Sequence, residues 1–398
     1  MTRVPMAVSE ENQHAEEKQA DAEPQTPANE AEKGRILDAC ERKDVEELRT
    51  IAISPGGFLS DQIRSRAWPI LLGFDADTAP DGSTETTSSW RQLPQHRDEE
   101  QVKLDVDRSF VYYPNDNSQA QLEEKKSALS DLITQVLRQN PYLCYFQGYH
   151  DICQVLLLVL PNPLRSTAVS RLSVLRIRDF MLPTLAPAIS QLRLIPDLIL
   201  AVDRELYTHL SRNEPYFALS DTLTMFAHNV QRYSDIARLF DALLAREQVF
   251  TLYIFTRIVL RRRAELLEHD EPDMLHFALS KLPPDLDLDA VIAEAALLFA
   301  AHPPESLRAW RRISSASALK TTRDAHALGH QSLADGRALF EKQVREMRWA
   351  ERREKMARTA WDHRALLFTI LVGVGAVYLR KTPAWAGLLA WGARLGRS

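Results

Sequence analysis

An all-α fold is predicted for this chain of 398 residues. Three observations predict it. Apolar side chains recur at helical spacing through most of the length, strand-type alternation bounded by Asn-Gly or Asp-Gly turns is absent, and the prolines mostly fall between the apolar stripes. With 45% hydrophobic and 26% charged residues the chain can bury a large core and still leave tails over.

In chain order, residues 1–33 are rich in Glu, Gln, Ala and Pro and are expected to be a disordered tail, because they cannot bury enough apolar surface to offset the entropy of ordering. They turn polar almost at once, so no secretory signal peptide is predicted. A globular domain is expected over 34–310. Its first stripe runs from Ile63 to Leu72, and the Pro, Gly and Ser/Thr cluster from Asp75 to Ser89 then reads as a loop. A helix over Glu99 to Phe110 would make Asp105 and Arg108 neighbours three residues apart, so that the carboxylate holds the guanidinium stem. From Ser127 to Asn140, Leu129, Leu132, Ile133, Val136 and Leu137 form one apolar face. Similar stripes cover Leu172 to Met181, Asp197 to Leu210, Asp235 to Leu244 and Leu288 to Phe299, with Pro141, Pro161, Pro183, Pro187, Pro215 and Pro283 as punctuation.

Beyond them, an Arg-rich helical linker is expected over 311–364, with Arg345, Arg348, Arg352, Arg353, Arg358 and Arg364. The segment 365–381 reads as a transmembrane anchor, built on the uncharged run of fifteen residues from Ala365 to Leu379. As a helix that run rises about 22 Å, short of a hydrocarbon core of about 30 Å unless Arg364, Arg380 and Lys381 snorkel in a thin bilayer. The remainder, 382–398, is either a short apolar tail or the second arm of a membrane hairpin, since Pro383 to Ala393 is apolar as well. A helix buried in the globule is the competing reading, disfavoured by the long connector.

A net charge of -5 leaves no broad basic face and argues against nucleic acid as partner. Cys40, Cys144 and Cys153 are odd in number and lack zinc spacing, which points to a reducing compartment and to no metal of the chain's own. No G-x-x-x-x-G-K-[S/T] phosphate cradle occurs, so the chain is not expected to bind GTP itself.

Two stretches carry chemistry: VKLDVDRSF around Asp105 and Arg108, and NPYLCYFQGYHDI around Tyr145, Gln147, Gly148 and Asp151. An always-charged guanidinium can lie against the charge that develops on a γ-phosphoryl group, and a carboxamide can orient the attacking water. Asn140-Pro141 favours a turn, and Gly148 permits close approach just after Gln147. These stretches resemble the two signature motifs of the TBC-domain GTPase-activating proteins for Rab GTPases. RSRAWPILLG at Arg64, YFALSDTLTMFAHNV at Tyr216 and the following RLFDALLA resemble further blocks, so that roughly Asp38 to Leu307 is similar to a complete domain. Val102 and Ser109 are conservative departures from the family pattern.

The resemblance implies an arginine finger at Arg108 and a glutamine finger at Gln147, supported by Asp105, Tyr145, Gly148 and Asp151, with Asp151 bracing the loop. Its partner would be a GTP-bound Rab carrying its own GTP and Mg²⁺. Similarity is greatest to the small subgroup anchored in the endoplasmic reticulum, through the P-P-D-L stretch near Pro283 and the hydrophobic C-terminus. That implies a cytosolic domain on a C-terminal tail anchor, and a Rab acting between reticulum and Golgi.

Rival readings remain at this level. A non-catalytic membrane-anchored adaptor would bind GTP-loaded Rab without hydrolysing it. His96 with His150-Asp151 superficially fits the ligand set of a metal-dependent phosphohydrolase. His228 reads as a satisfied core histidine, and Arg257, Arg261, Arg262 and Arg263 as the solvated end of a helix.

Overall fold

The structure is a computed structural model that describes residues 27–76, 89–114, 118–364 and 374. Residues up to Phe340 form one compact unit and those from Glu341 onward a second. Every regular element among the described residues is helical, as the periodicity predicts.

The first unit opens with α1 (Pro27–Glu41), which begins inside the stretch expected to be a tail; residues 1–26 lie outside the described residues. There follow α2 (Val45–Ala52), α3 (Asp61–Leu71), α4 (Glu99–Val106), α5 (Gln119–Gln139), α6 (Tyr149–Val159) and α7 (Asn162–Arg171). The Asp75–Ser89 loop lies largely outside the described residues. Next come α8 (Ala186–Leu192), α9 (Leu194–Val202), α10 (Arg204–Leu210), α11 (Leu219–Leu223), α12 (Tyr233–Ala245) and α13 (Phe250–Arg261). The series closes with α14 (Arg263–Leu267), α15 (Pro272–Leu279), α16 (Leu288–Ala301), α17 (Ala318–Thr321), α18 (Ala327–His330) and α19 (Leu333–Asp362).

Each apolar stripe lies against another. On α5, Leu129, Leu132, Ile133, Val136 and Leu137 are all buried, and the helix packs on α4, α6 and α7. The pair α13 and α16 forms a second centre, while α12 rests on α2, α3 and α16. Ser118 begins α5 with a reciprocal cap to Gln121, which satisfies two otherwise orphaned donors.

Two of the apolar stripes do not form single α-helices. The stripe over Asp197 to Leu210 divides at Asp203, whose carboxylate accepts from Leu206 N at 2.9 Å and from Arg263 Nε at 2.6 Å, capping α10 instead of continuing α9. The stripe over Leu172 to Met181 forms a π-turn (Leu172–Arg176) and a 3-10 turn (Arg178–Met181). There Arg176 donates to the carbonyls of Leu243, Leu244 and Arg246 at the end of α12.

Two buried carboxylates tie distant segments together. Asp241 on α12 accepts from Phe58 N at 3.1 Å, Trp68 Nε1 at 2.8 Å and Arg64 Nε at 3.0 Å, which explains why the RSRAWPILLG and RLFDALLA blocks occur together. Asp179 accepts from Ser317 Oγ and from Ala318 N at 3.1 Å, and beside it Arg178 donates to Ala316 O at 2.5 Å. Residues 311–340, assigned from sequence to a linker, therefore belong to the first compact unit.

The basic run also differs from a solvated helix end. Arg257 pairs with Glu294, Arg262 with Glu265 and Arg263 with Asp203. No helix among the described residues is long and apolar enough to cross a membrane. The expected anchor over 365–381 and the segment 382–398 lie outside the described residues, apart from Val374.

Candidate functional site

Arg108 does not lie on α4 but two residues past its end. Val102, Asp105 and Val106 face the core and stop the helix from turning over. Arg108 N and Ser109 N then bond back to Asp105 O and Val106 O at 3.1 and 3.0 Å. Phe110 follows with a left-handed backbone (φ 62°), which redirects the chain, and its amide donates to Gln154 Oε1 of α6 at 3.1 Å. On the other side Lys126 Nζ of α5 donates to Asp107 O at 2.8 Å. The backbone is thus pinned on both flanks while the Arg108 side chain is exposed, and among the described residues no side chain is bonded to it.

This corrects the expected Asp105–Arg108 pair. Asp105, 4% exposed, accepts from Gln101 Nε2 and from the Tyr145 hydroxyl, both at 2.8 Å. It points into the protein because the last turn of α4 is buried on that face. The guanidinium, beyond the helix, points away.

The second loop is built backward from α6. Gly148 caps that helix with φ 96°, and a Cβ there would lie 2.5 Å from Thr224 Cγ2, so glycine is required both by backbone and by space. Upstream, Leu143 O accepts from His96 Nε2 at 3.1 Å and Arg97 Nη2 at 2.9 Å. Cys144 N donates to Met181 O at 2.9 Å, and Tyr145 N to Asp98 Oδ2 at 2.9 Å. Phe146 is buried between Tyr149 and Phe180, whereas Gln147 is exposed. A loop without regular structure is thereby fixed at four successive residues, and the one it presents to solvent is Gln147.

Beneath the loops is a polar chain. Tyr145 Oη lies 3.3 Å from His150 Nδ1, His150 Nε2 lies 3.2 Å from Asp151 Oδ1, and Asp151 Oδ2 accepts from His228 Nδ1 at 2.9 Å. Burial pushes the Tyr145 phenol well up, helped by its bond to Asp105, and burial lowers His150, keeping its ring neutral. The hydrogen bond to Asp151 raises His228. Asp151 is thus held between His150 and His228.

His228, read from sequence as a core histidine, has a side chain 57% exposed and sits at the rim of this chain of contacts. Gln154, Lys126 and Thr224 are positioning residues that sequence reasoning missed. Each acts across at least eighteen positions of the sequence, and nothing in its immediate neighbours marks it.

Nothing here converges as a metal centre. His96 is buried with its ring committed to Leu143 O, and no cluster of three or more His, Cys, Asp or Glu able to hold a metal ion occurs among the described residues. Leu104, Val111 and Tyr112, which flank Arg108 in the sequence, are large apolar side chains left exposed. The arrangement offers a guanidinium and a carboxamide, both exposed and without a hydrogen-bond partner among the described residues, on pinned backbone. It can complete a site carried by another molecule.

Comparison with known proteins bears on this geometry. The Rab-GTPase-TBC domain family matches residues 61–267, which span both loops. The chain is 37% identical over 270 residues to the TBC1 domain family member 20 of Bos taurus, covering 67% of this chain and 66% of that protein. It is also 37% identical to the human protein of the same name over 267 residues, covering 66% and 65%. The chain thus spans just under two thirds of the length of these two relatives. The GTPase-activating protein gyp10 of Schizosaccharomyces pombe is 34% identical over 322 residues, covering 79% of this chain and 84% of its own length. Among solved structures, the Ypt/Rab-GAP domain of Gyp1p superposes with a TM-score of 0.53 at 15% identity, over 65% of this chain and 93% of that one. A Chlamydomonas flagellar RabGAP TBC domain gives 0.50 at 15% identity, over 68% and 95%. These two show a shared fold.

Proposed function

The chain belongs to the Rab-GTPase-TBC domain family, and we propose on that premise that it accelerates GTP hydrolysis by a Rab GTPase, supplying Arg108 and Gln147 in trans. The observation that carries the reading is the pairing of two exposed, unspent side chains on loops joined by the Tyr145–Asp105 hydrogen bond.

Arg108 neutralises charge on the transferring γ-phosphoryl group, and Gln147 aligns the attacking water by accepting and donating at once. GTP and Mg²⁺ are the partner's. The apolar Leu104, Val111 and Tyr112 exclude water around the guanidinium once the partner docks, which strengthens its electrostatic effect. A Rab acting between endoplasmic reticulum and Golgi, with residues 365–381 as a tail anchor in the reticulum membrane, extends the proposal. Its support is the resemblance and the apolar run itself.

The test is phosphate release from a panel of GTP-loaded Rabs with the full chain, Arg108→Ala and Gln147→Ala. Acceleration of at least one Rab should fall by on the order of 10³-fold or more in Arg108→Ala, without loss of GTP-dependent binding. A loss under roughly tenfold contradicts the finger role. Tight GTP-dependent binding with no acceleration by the wild-type chain would make it an adaptor instead.

A further inference from the structure

The turn between α11 and α12 carries two consecutive non-glycine residues in left-handed backbone, Met225 (φ 51°) and Phe226 (φ 66°). Such a conformation is unfavourable for side chains of this size and persists only where the surroundings enforce it. Here they do: Phe226 N donates to Asp221 O at 2.7 Å, Ala227 N to Thr224 O at 3.0 Å, and Asn229 Nδ2 to Asp221 Oδ1 at 2.8 Å. Met225 and Phe226 are both fully buried.

What the turn delivers is specific. Thr224 places its methyl over Gly148, Ala227 O accepts from the Tyr113 hydroxyl of the Arg108 loop at 3.4 Å, and His228 Nδ1 meets Asp151 Oδ2 at 2.9 Å. All three contacts go to the segments that bear the two catalytic side chains. Two of them, from Thr224 and His228, converge on the four residues after Gln147.

His228 differs from the others in being exposed, so neither the core nor the turn needs its ring. Asp151 gives one oxygen to each of two neighbours, Oδ2 to His228 Nδ1 at 2.9 Å and Oδ1 to His150 Nε2 at 3.2 Å. Without His228, Oδ2 loses this partner and the carboxylate is held from the His150 side alone, so the first turn of α6 loses its outer support.

Resting on the function proposed above, we propose that His228 is a positioning residue, holding Asp151 and thereby the first turn of α6 so that Gln147 presents its amide in the orientation hydrolysis requires. Misplacement by about 1 Å of a group that orients a reactant can cost up to about a hundredfold in rate, so loss of one support is expected to be measurable.

The test uses the full chain and a GTP-loaded Rab that the wild type accelerates, with His228→Ala and His228→Asn. Asn places an amide N–H where the imidazole Nδ1–H stands. We expect His228→Ala to lower the maximal rate by about tenfold at an unchanged half-saturating concentration, and His228→Asn to return within about threefold of wild type. Hydrogen exchange at the amides of Gln147 to Asp151 should quicken in the alanine variant and recover in the asparagine variant. An unaltered maximal rate in His228→Ala, an effect confined to half-saturation, or equal losses in both variants overturns the inference while leaving the activator reading intact. A wild-type chain that accelerates no Rab overturns that reading and this inference with it.

Discussion

The hydroxyl of Tyr145 donates to the buried carboxylate of Asp105 at 2.8 Å, linking loops that lie forty residues apart in sequence. Gln147 follows the donor by two residues and Arg108 follows the acceptor by three. This hydrogen bond adds to those that Tyr145 N donates to Asp98 and Phe110 N to Gln154, and it is the tie nearest the two side chains that would act on a single phosphoryl group. Neither of them enters the bond.

Removing that hydroxyl should separate catalysis from folding. Tyr145→Phe keeps the edge contact with Tyr149 and leaves Gln101 on Asp105, so the stability cost is expected to be about 1–2 kcal/mol. The maximal rate of Rab GTP hydrolysis should fall by on the order of tenfold, since the two loops lose a direct tie between them. Urea denaturation and phosphate release measured together check this. An unchanged rate would show that the loops hold their spacing without the bond.

Gly148 makes a packing prediction that can be split into two parts. Gly148→Ala introduces a Cβ 2.5 Å from Thr224 Cγ2 and an unfavourable φ, and should destabilise by more than about 1 kcal/mol. Thr224→Ser removes the obstructing methyl but not the backbone strain. The double variant should therefore recover part of the loss relative to Thr224→Ser alone. Strictly additive urea midpoints would mean that the methyl is not what excludes a side chain at this position.

Asp221 sets a pH dependence. Burial raises its carboxyl from the ordinary 3.8 to about 6, with the Asn229 amide pulling the other way. Oδ2 has no hydrogen-bond partner among the described residues. A folded-state value above the unfolded one stabilises the protein when the group is protonated. That contribution is complete below about pH 4 and is lost as pH rises through about 6. Asp221→Asn should remove up to roughly 2–3 kcal/mol of this slope. Urea unfolding at pH 4 and pH 7 measures it, and identical pH slopes for wild type and variant would refute the assignment.

Much of this molecule was legible because its information is local. The stripe from Leu129 to Leu137 is buried as its spacing says, and Arg108 and Gln147 both lie outside helices and are exposed. What could not be read was direction and distance. Three-residue spacing suggested that Asp105 faces Arg108, but the helix stops at Val106 and the carboxylate meets Tyr145 instead. Past that stop the chain is turned by a left-handed Phe110 held by Gln154, forty-four residues away. His228 gave no sign of its exposure, since an apolar neighbourhood in sequence places a residue near the core without saying which way its ring turns. The Asp203 break was similarly hidden, because half of what fixes it comes from Arg263.

The carboxylates of Asp241 and Asp179 also determine where the chain can be trimmed. A fragment confined to residues 61–267, the span of the family match, keeps Arg64 and Trp68 on Asp241 but drops the Phe58 amide. It also strips Asp179 of Ser317 and Ala318, and Arg178 of Ala316. Gln191 still donates to Asp179 at 2.5 Å, but a buried charge that loses part of its donors costs stability. A truncation that leaves both loops untouched would still incur that cost, so the shortest autonomously folding piece is expected to extend to the neighbourhood of Phe340.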